Sequence, residues 1–177
     1  MMRMSPSFSY KDAMDSMRVA VEDRRRVLGL SLERTAEVLD VHRNTLWRIE
    51  SGEADPKISV LNRLLLTIGA DQVSFRDGRF NMVCGTDSWE ELGGFCPHSD
   101  EYMRAEIGRF IRENRCALDM SQEYLAELAD LHRNTVGKIE RGEVDLTVAT
   151  LFRLYAVLSV DVLTVRAGKL VTLQEGK

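Results

Sequence analysis

Apolar positions along this chain switch period, and the switch happens twice. Asp15–Ser16 give a helix-start signal, after which Val19, Val21, Val27 and Leu28 lead at helical spacing to Gly29. A short second helix follows Ser31 and ends near Leu39; a third runs from about Arg43 to Glu50 and stops at Gly52. A fourth covers 58–68, apolar at Val60, Leu61, Leu64, Leu65 and Ile68. The pattern then turns β-like: "QVSFRDGRFNMV" places two short β-prone runs around Asp77-Gly78, a two-residue hairpin signal.

Ninety positions later the same programme runs again. "VHRNTLWRIESGE" (Val41–Glu53) returns as "LHRNTVGKIERGE" (Leu131–Glu143), and 17 of the 34 positions in Ser31–Leu64 match Ser121–Leu154 without a gap. The hairpin returns as Val162–Val165 and Leu170–Leu173, with Arg76/Arg166 and Gly78/Gly168 in register. A period this long is a tandem pair of small domains and not a solenoid. The organisation expected is a flexible N-terminus (1–14), a first unit (15–83), a linker (84–103) and a second unit (104–177), each unit four helices plus a β-hairpin. The linker has one expected helical turn around Ser88–Leu92, with Trp89 and Phe95 packing on a neighbouring domain. An isolated two-stranded hairpin is marginal. The two are therefore expected to join into one four-stranded sheet, within the chain or across a homodimer; the alternative is that each packs only on its own helices.

The repeated peptide carries candidate chemistry. On a helix, Leu46 and Ile49 share one face, while Arg43, Asn44, Trp47 and Arg48 fall within about 140° on the other. The second copy turns Val136 and Ile139 inward and Arg133, Asn134, Gly137 and Lys138 outward. An arginine can fork onto guanine O6 and N7, an asparagine onto adenine N6 and N7, and a helix fits the major groove. Small residues Ala36 and Ala126 in the preceding helices let two short helices cross closely, with Asp40-Val41 and Asp130-Leu131 as the turns.

At these residues the sequence resembles the phage-repressor-like (Cro/cI, or XRE type) helix-turn-helix family. The resemblance rests on "LSLERTAEVLDVHRNTLWRIESGE" and "MSQEYLAELADLHRNTVGKIERGE" and covers about 16–70 and 105–160. It implies a mainly α fold of two tandem lambda-repressor-like helix-turn-helix domains, each followed by a β-hairpin. It also implies that Arg43, Asn44, Arg48, Arg133, Asn134 and Lys138 face bases; Trp47, on the same surface, is a further base-contact candidate. Gln122 stands where the family often has a glutamine aimed at a phosphate or a base edge, whereas the first copy has Leu32 there. Asp40 and Asp130 replace the family's common glycine, and Asp tolerates left-handed backbone better than most residues. His42 and His132 occupy the usual Ser/Thr cap position, where histidine is a poor cap; their repetition points to phosphate contacts or, equally, to a surface-packing role. Lys57 and Arg141, in the loops after the third helices, are further phosphate candidates. The resemblance also suggests that Arg25–Glu50 and Arg115–Glu140 pair as scaffold between first and third helices.

The remaining numbers narrow the function. A net charge of −4 argues against a blanket affinity for nucleic acid but leaves room for a local basic face. Arg24 and Arg26 are read as solvated. Three cysteines, Cys84, Cys96 and Cys116, form no paired framework and fit a reducing compartment. Cys96 and His98 in "CPH" are too few for a zinc site, so no metal or cofactor is expected. No membrane span, signal peptide, nucleophile–base set or phosphate loop is apparent. The expectation is a cytoplasmic, non-enzymatic, sequence-specific regulator of double-stranded DNA, a repressor at an inverted-repeat operator. The alternative is an antitoxin-like protein that uses the fold to bind a protein partner and regulates itself.

Overall fold

The computed structural model describes residues 10–76, 79–85, 100–160, 163–166 and 169–171, the last two strands by their backbone. Eight helices and four strands are seen among them: α1 (Tyr10–Val27), α2 (Leu32–Leu39), α3 (Arg43–Glu50), α4 (Ile58–Thr67), β1 (Ala70–Arg76), β2 (Arg79–Cys84), α5 (Asp100–Ala117), α6 (Gln122–Leu128), α7 (Arg133–Glu140), α8 (Val148–Val157), β3 (Leu163–Arg166) and β4 (Lys169–Val171). Each copy thus has the expected order of four helices followed by two strands.

The first helix of each copy starts about one turn earlier than its sequence signal. α1 begins at Tyr10, and Ala13 and Met14 are buried with Met17 and Val21. The stretch expected to be a flexible N-terminus is therefore helical from residue 10, because its apolar stripe extends upstream of Asp15. Ser16 is no cap: its Oγ accepts the Phe80 backbone N–H at 3.2 Å, docking β2 on α1. Likewise α5 takes in residues 100–103, assigned to the linker from the sequence, and buries Met103 in line with Ile107 and Ile111. These are the counterparts, ninety positions on, of Ala13, Met17 and Val21. The expected turn at Ser88–Leu92, with Trp89 and Phe95, and the turn residues Asp77, Gly78 and Gly168 lie outside the described residues.

Turn chemistry repeats with the sequence. Ser31 and Ser121 cap α2 and α6 by accepting the Arg34 and Tyr124 backbone N–H groups. Asp40 (φ 52°) and Asp130 (φ 53°) take the left-handed conformation that turns one helix into the next. In both copies the residue after that turn donates back into the helix, from Val41 to Ala36 and from Leu131 to Ala126, as a helix stop requires.

The two copies are joined at two places. β1 and β3 pair antiparallel at the centre of one sheet ordered β2-β1-β3-β4, with Val73 opposite Val165, Ser74 opposite Thr164 and Phe75 opposite Leu163. At the other place the loops leading into α4 and α8 cross: Lys57 bridges Thr147, Ile58 N–H donates to the Leu146 carbonyl, and Val148 N–H donates to the Pro56 carbonyl. Ser74–Thr164 and Lys57–Thr147 each pair a residue with its own counterpart ninety positions later. In an antiparallel pairing of equivalent segments, such a self-paired position marks a local two-fold axis. Two self-pairings, in the loops and in the sheet, relate the copies as the subunits of a symmetric dimer are related. The hairpins, which could have united two chains, unite the halves of one.

Side chains tighten this junction. Asp145 accepts the Ser59 N–H (3.2 Å) and hydroxyl (2.6 Å), while Asp55 accepts the Ala149 N–H (3.2 Å) and the Tyr10 hydroxyl (2.7 Å). Each aspartate therefore caps the fourth helix of the opposite copy, where the helix dipole also favours a negative charge. Phe152 of α8 stacks edge-on against Tyr10 and Phe75 of the first copy, at 5.3 and 5.1 Å between ring centroids. Its counterpart in the first copy is Asn62, which is buried, whereas Phe152 is partly so. The axis thus relates the backbone but not every contact.

Candidate nucleic-acid interface

In both copies the helix-turn-helix core is built alike. Ala36 and Ala126, almost fully buried, allow α2 to cross α3 and α6 to cross α7. Leu46 and Ile49, and Val136 and Ile139, fill the space beneath the second helix of each pair. What remains outside is the face expected from the sequence: Arg43, Asn44, Trp47 and Arg48 are exposed on α3, and Arg133, Asn134 and Lys138 on α7. Gly137 departs from that expectation. It is buried, because Gln122 and Arg141 close over it; a Cβ there would lie 3.2 Å from Gln122 Oε1 and 3.3 Å from an Arg141 nitrogen.

His42 and His132 correct a second expectation. Both cap their helices, accepting the Asn44 and Asn134 backbone N–H groups through Nδ1 at 3.2 and 3.3 Å. An acceptor Nδ1 places the ring proton of neutral histidine on Nε2. Both rings are exposed at the first turn of the outward helix, so the cap and a phosphate contact use different nitrogens.

The ion pairs divide into scaffold and surface. Arg25 Nε meets Glu50 at 2.9 Å and its NH2 the other carboxylate oxygen at 3.1 Å, while NH1 donates to the Leu30 carbonyl. Arg115 repeats this on Glu140 at 2.6 and 3.0 Å, with the Met120 carbonyl taking its third donor. The Glu140 bond raises the Arg115 pKa above the ordinary arginine value. These forks fasten the last turn of α3 and α7 to the first helix of each copy. Gln122 joins the second fork by donating to Glu140 at 2.7 Å, so it faces the scaffold and not the open surface. Arg24 is a correction too: it is buried, with Nε on the Ile68 carbonyl at the end of α4, while Arg26 is exposed and paired with Glu22.

On the surface, Arg43 pairs with Glu33 at 2.5 Å. The Glu33 carboxyl is held below its ordinary pKa by its own backbone N–H, and the Arg43 charge lowers it further. Arg133 has no ion-pair partner among the described residues, although Glu123 is the counterpart of Glu33. Of the loop candidates, Arg141 is exposed but forked onto Glu143 at 2.6 and 3.0 Å. Lys57 is exposed and lies on the local axis between the copies. Asp55 and Asp145 were missed from the sequence, although their repetition was visible; their partners lie in the other copy. Among the described residues no group of histidine, cysteine or acidic side chains could hold a metal, and Cys96 and His98 lie outside them. No helix among the described residues is long and apolar enough to cross a membrane.

Comparison with known proteins agrees with this geometry. Residues 17–76 match a family model described as a helix-turn-helix domain, and residues 111–164 match a second one described as helix-turn-helix. Control protein C.SmaI of Serratia marcescens is 40% identical over 52 residues, 29% of this chain. The match spans 62% of the control protein's own length. No solved structure matches the chain.

Proposed function

From the premise that this chain carries the helix-turn-helix domain twice, we propose that it is a DNA-binding transcription regulator of the phage-repressor-like family, a sequence-specific repressor of an inverted-repeat operator, and that one chain supplies both readers. The observation that carries this reading is the pair of exposed "HRNT" helix faces placed on either side of a local two-fold axis. An axis in the protein calls for the same axis in the site it reads. Half-site centres are then about 10–10.5 base pairs apart, or a multiple of this, if both helices enter one side of the duplex. Arg43, Asn44, Arg48, Arg133, Asn134 and Lys138 contact bases, and His42, His132 and Lys57 contact phosphates. Occupation of a promoter, with no catalysis, accounts for repression, and the protein acts in the cytoplasm.

Gln122 and Arg141, both held by carboxylates, reach DNA only after those bonds open. Exposure of Trp47, 46%, favours a second reading, in which the first head binds a protein partner and the protein regulates its own gene. Selection of bound duplexes from a random pool at two salt concentrations tests the proposal. A two-part inverted motif whose affinity falls as salt rises supports it; equal binding to every sequence contradicts it, as does binding only to a partner protein.

A further inference from the structure

The two heads have the same backbone but not the same surface. Positions 32 and 47 of the first copy correspond to 122 and 137 of the second, where Leu32 and Trp47 replace Gln122 and Gly137. In the second head these positions touch, since a Cβ on Gly137 would meet Gln122 Oε1 at 3.2 Å. The outcome there is flat and polar: Gln122 lies over the glycine and donates to Glu140. In the first head the same two positions hold a partly buried leucine packed against the core and a tryptophan 46% exposed on the outward face. Trp47 thus stands outward on α3 while its neighbours Leu46 and Ile49 are buried.

Resting on the DNA-reading proposal above, we propose that the heads read unequal half-sites, with Trp47 selecting a thymine through its 5-methyl group in the half-site of the first head. Of the four bases, only thymine carries an apolar group on its major-groove edge. The charges favour the same division. Arg43 must leave Glu33 before it can reach a guanine, whereas Arg133 has no ion pair among the described residues to break. The first head therefore gains relatively more from an apolar contact and the second from a hydrogen-bonded purine. A protein with unlike heads on a two-fold frame binds its operator in one orientation. That orientation matters at a promoter, because the ends of the bound chain then face fixed directions.

Selection of duplexes with the whole chain should enrich a two-part motif in which one half carries a thymine that the other lacks. Replacing that thymine by uracil, which removes only the methyl group, should weaken binding about fourfold. Uracil in place of any thymine of the other half should change nothing, and so should uracil in the first half when the protein is Trp47→Ala. The head-converting variant Leu32→Gln/Trp47→Gly should enrich matched halves; its thermal melt confirms that it is folded. The uracil comparison on the unaltered protein needs no variant. Matched halves for the unaltered chain, or indifference to the methyl group, would overturn the unequal reading and leave the repressor proposal standing. No enriched motif, with Trp47 needed instead to capture a protein, would overturn both.

Discussion

Asp55 and Asp145 each accept an N–H from the fourth helix of the opposite copy, together with one hydroxyl. Removing Asp145 leaves α4 with no side-chain cap, and removing Asp55 leaves α8 with Thr147 alone. Asp145→Ala and Asp55→Ala should each lower stability by about 1 kcal/mol, read as a shift in denaturant midpoint. An unchanged midpoint for both would mean that the copies are not held together there. A larger loss, about 3–5 kcal/mol, is expected for Arg115→Ala, which strands Glu140 beneath α7 without its bidentate partner. In the reading heads, Arg43→Ala and Arg133→Ala should each cost about 1–3 kcal/mol of binding to the preferred site and relax base preference in different halves. Uniform weakening on every sequence would reduce them to phosphate contacts. Part of what works within one copy was legible in the sequence: the Arg–Glu forks followed from the family resemblance and most of the outward faces from helical periodicity, whereas the internal bonds of Arg24 and Gln122 and the burial of Gly137 did not. Asp55 and Asp145 stand at equivalent positions of the two repeats but act across about ninety residues, and no local pattern carries that.

At the scale of elements, the second to fourth helices of the first copy lie close to where the sequence places them, and each ends at a left-handed stop, Asp40, Gly52 or Gly69. The first helices could not be read so well. Asp15–Ser16 has the composition of a start signal, but Ser16 serves β2 while the apolar stripe continues to Ala13. The histidine caps were misjudged for a related reason: average preference ranks the residue low, yet Nδ1 reaches the N–H two residues on in both copies. Left-handed backbone recurs at four equivalent positions, at Gly29, Asp40, Gly52 and Gly69 in the first copy and at Asp119, Asp130, Gly142 and Ser159 in the second. Ser159 has neither glycine's freedom nor the short carboxylate of Asp. Ser159→Gly should accordingly raise the melting temperature, by up to about 1 kcal/mol of stability. A lower melting temperature would show that the hydroxyl is used.

Across the whole molecule, one chain reproduces what most regulators with a two-fold axis assemble from two. The sheet has its dyad at Ser74–Thr164 and the loop crossing its dyad at Lys57–Thr147, so neither copy can leave without breaking both. The repeat made a pair of domains legible, and the marginal stability of a lone hairpin made a shared sheet the reasonable expectation. Whether that sheet lay within one chain or between two could not be read from either feature. On the proposed function the difference has a consequence: with both readers in one chain, operator occupancy would follow the concentration of that chain without a dimerisation step.

Stoichiometry tests this most directly. Sedimentation of the protein with a duplex carrying the complete selected site should give one chain per duplex, at any protein concentration that saturates it. A half-site duplex should bind far more weakly. Two chains on the complete site, each holding one half, would contradict the single-chain arrangement of both reading helices.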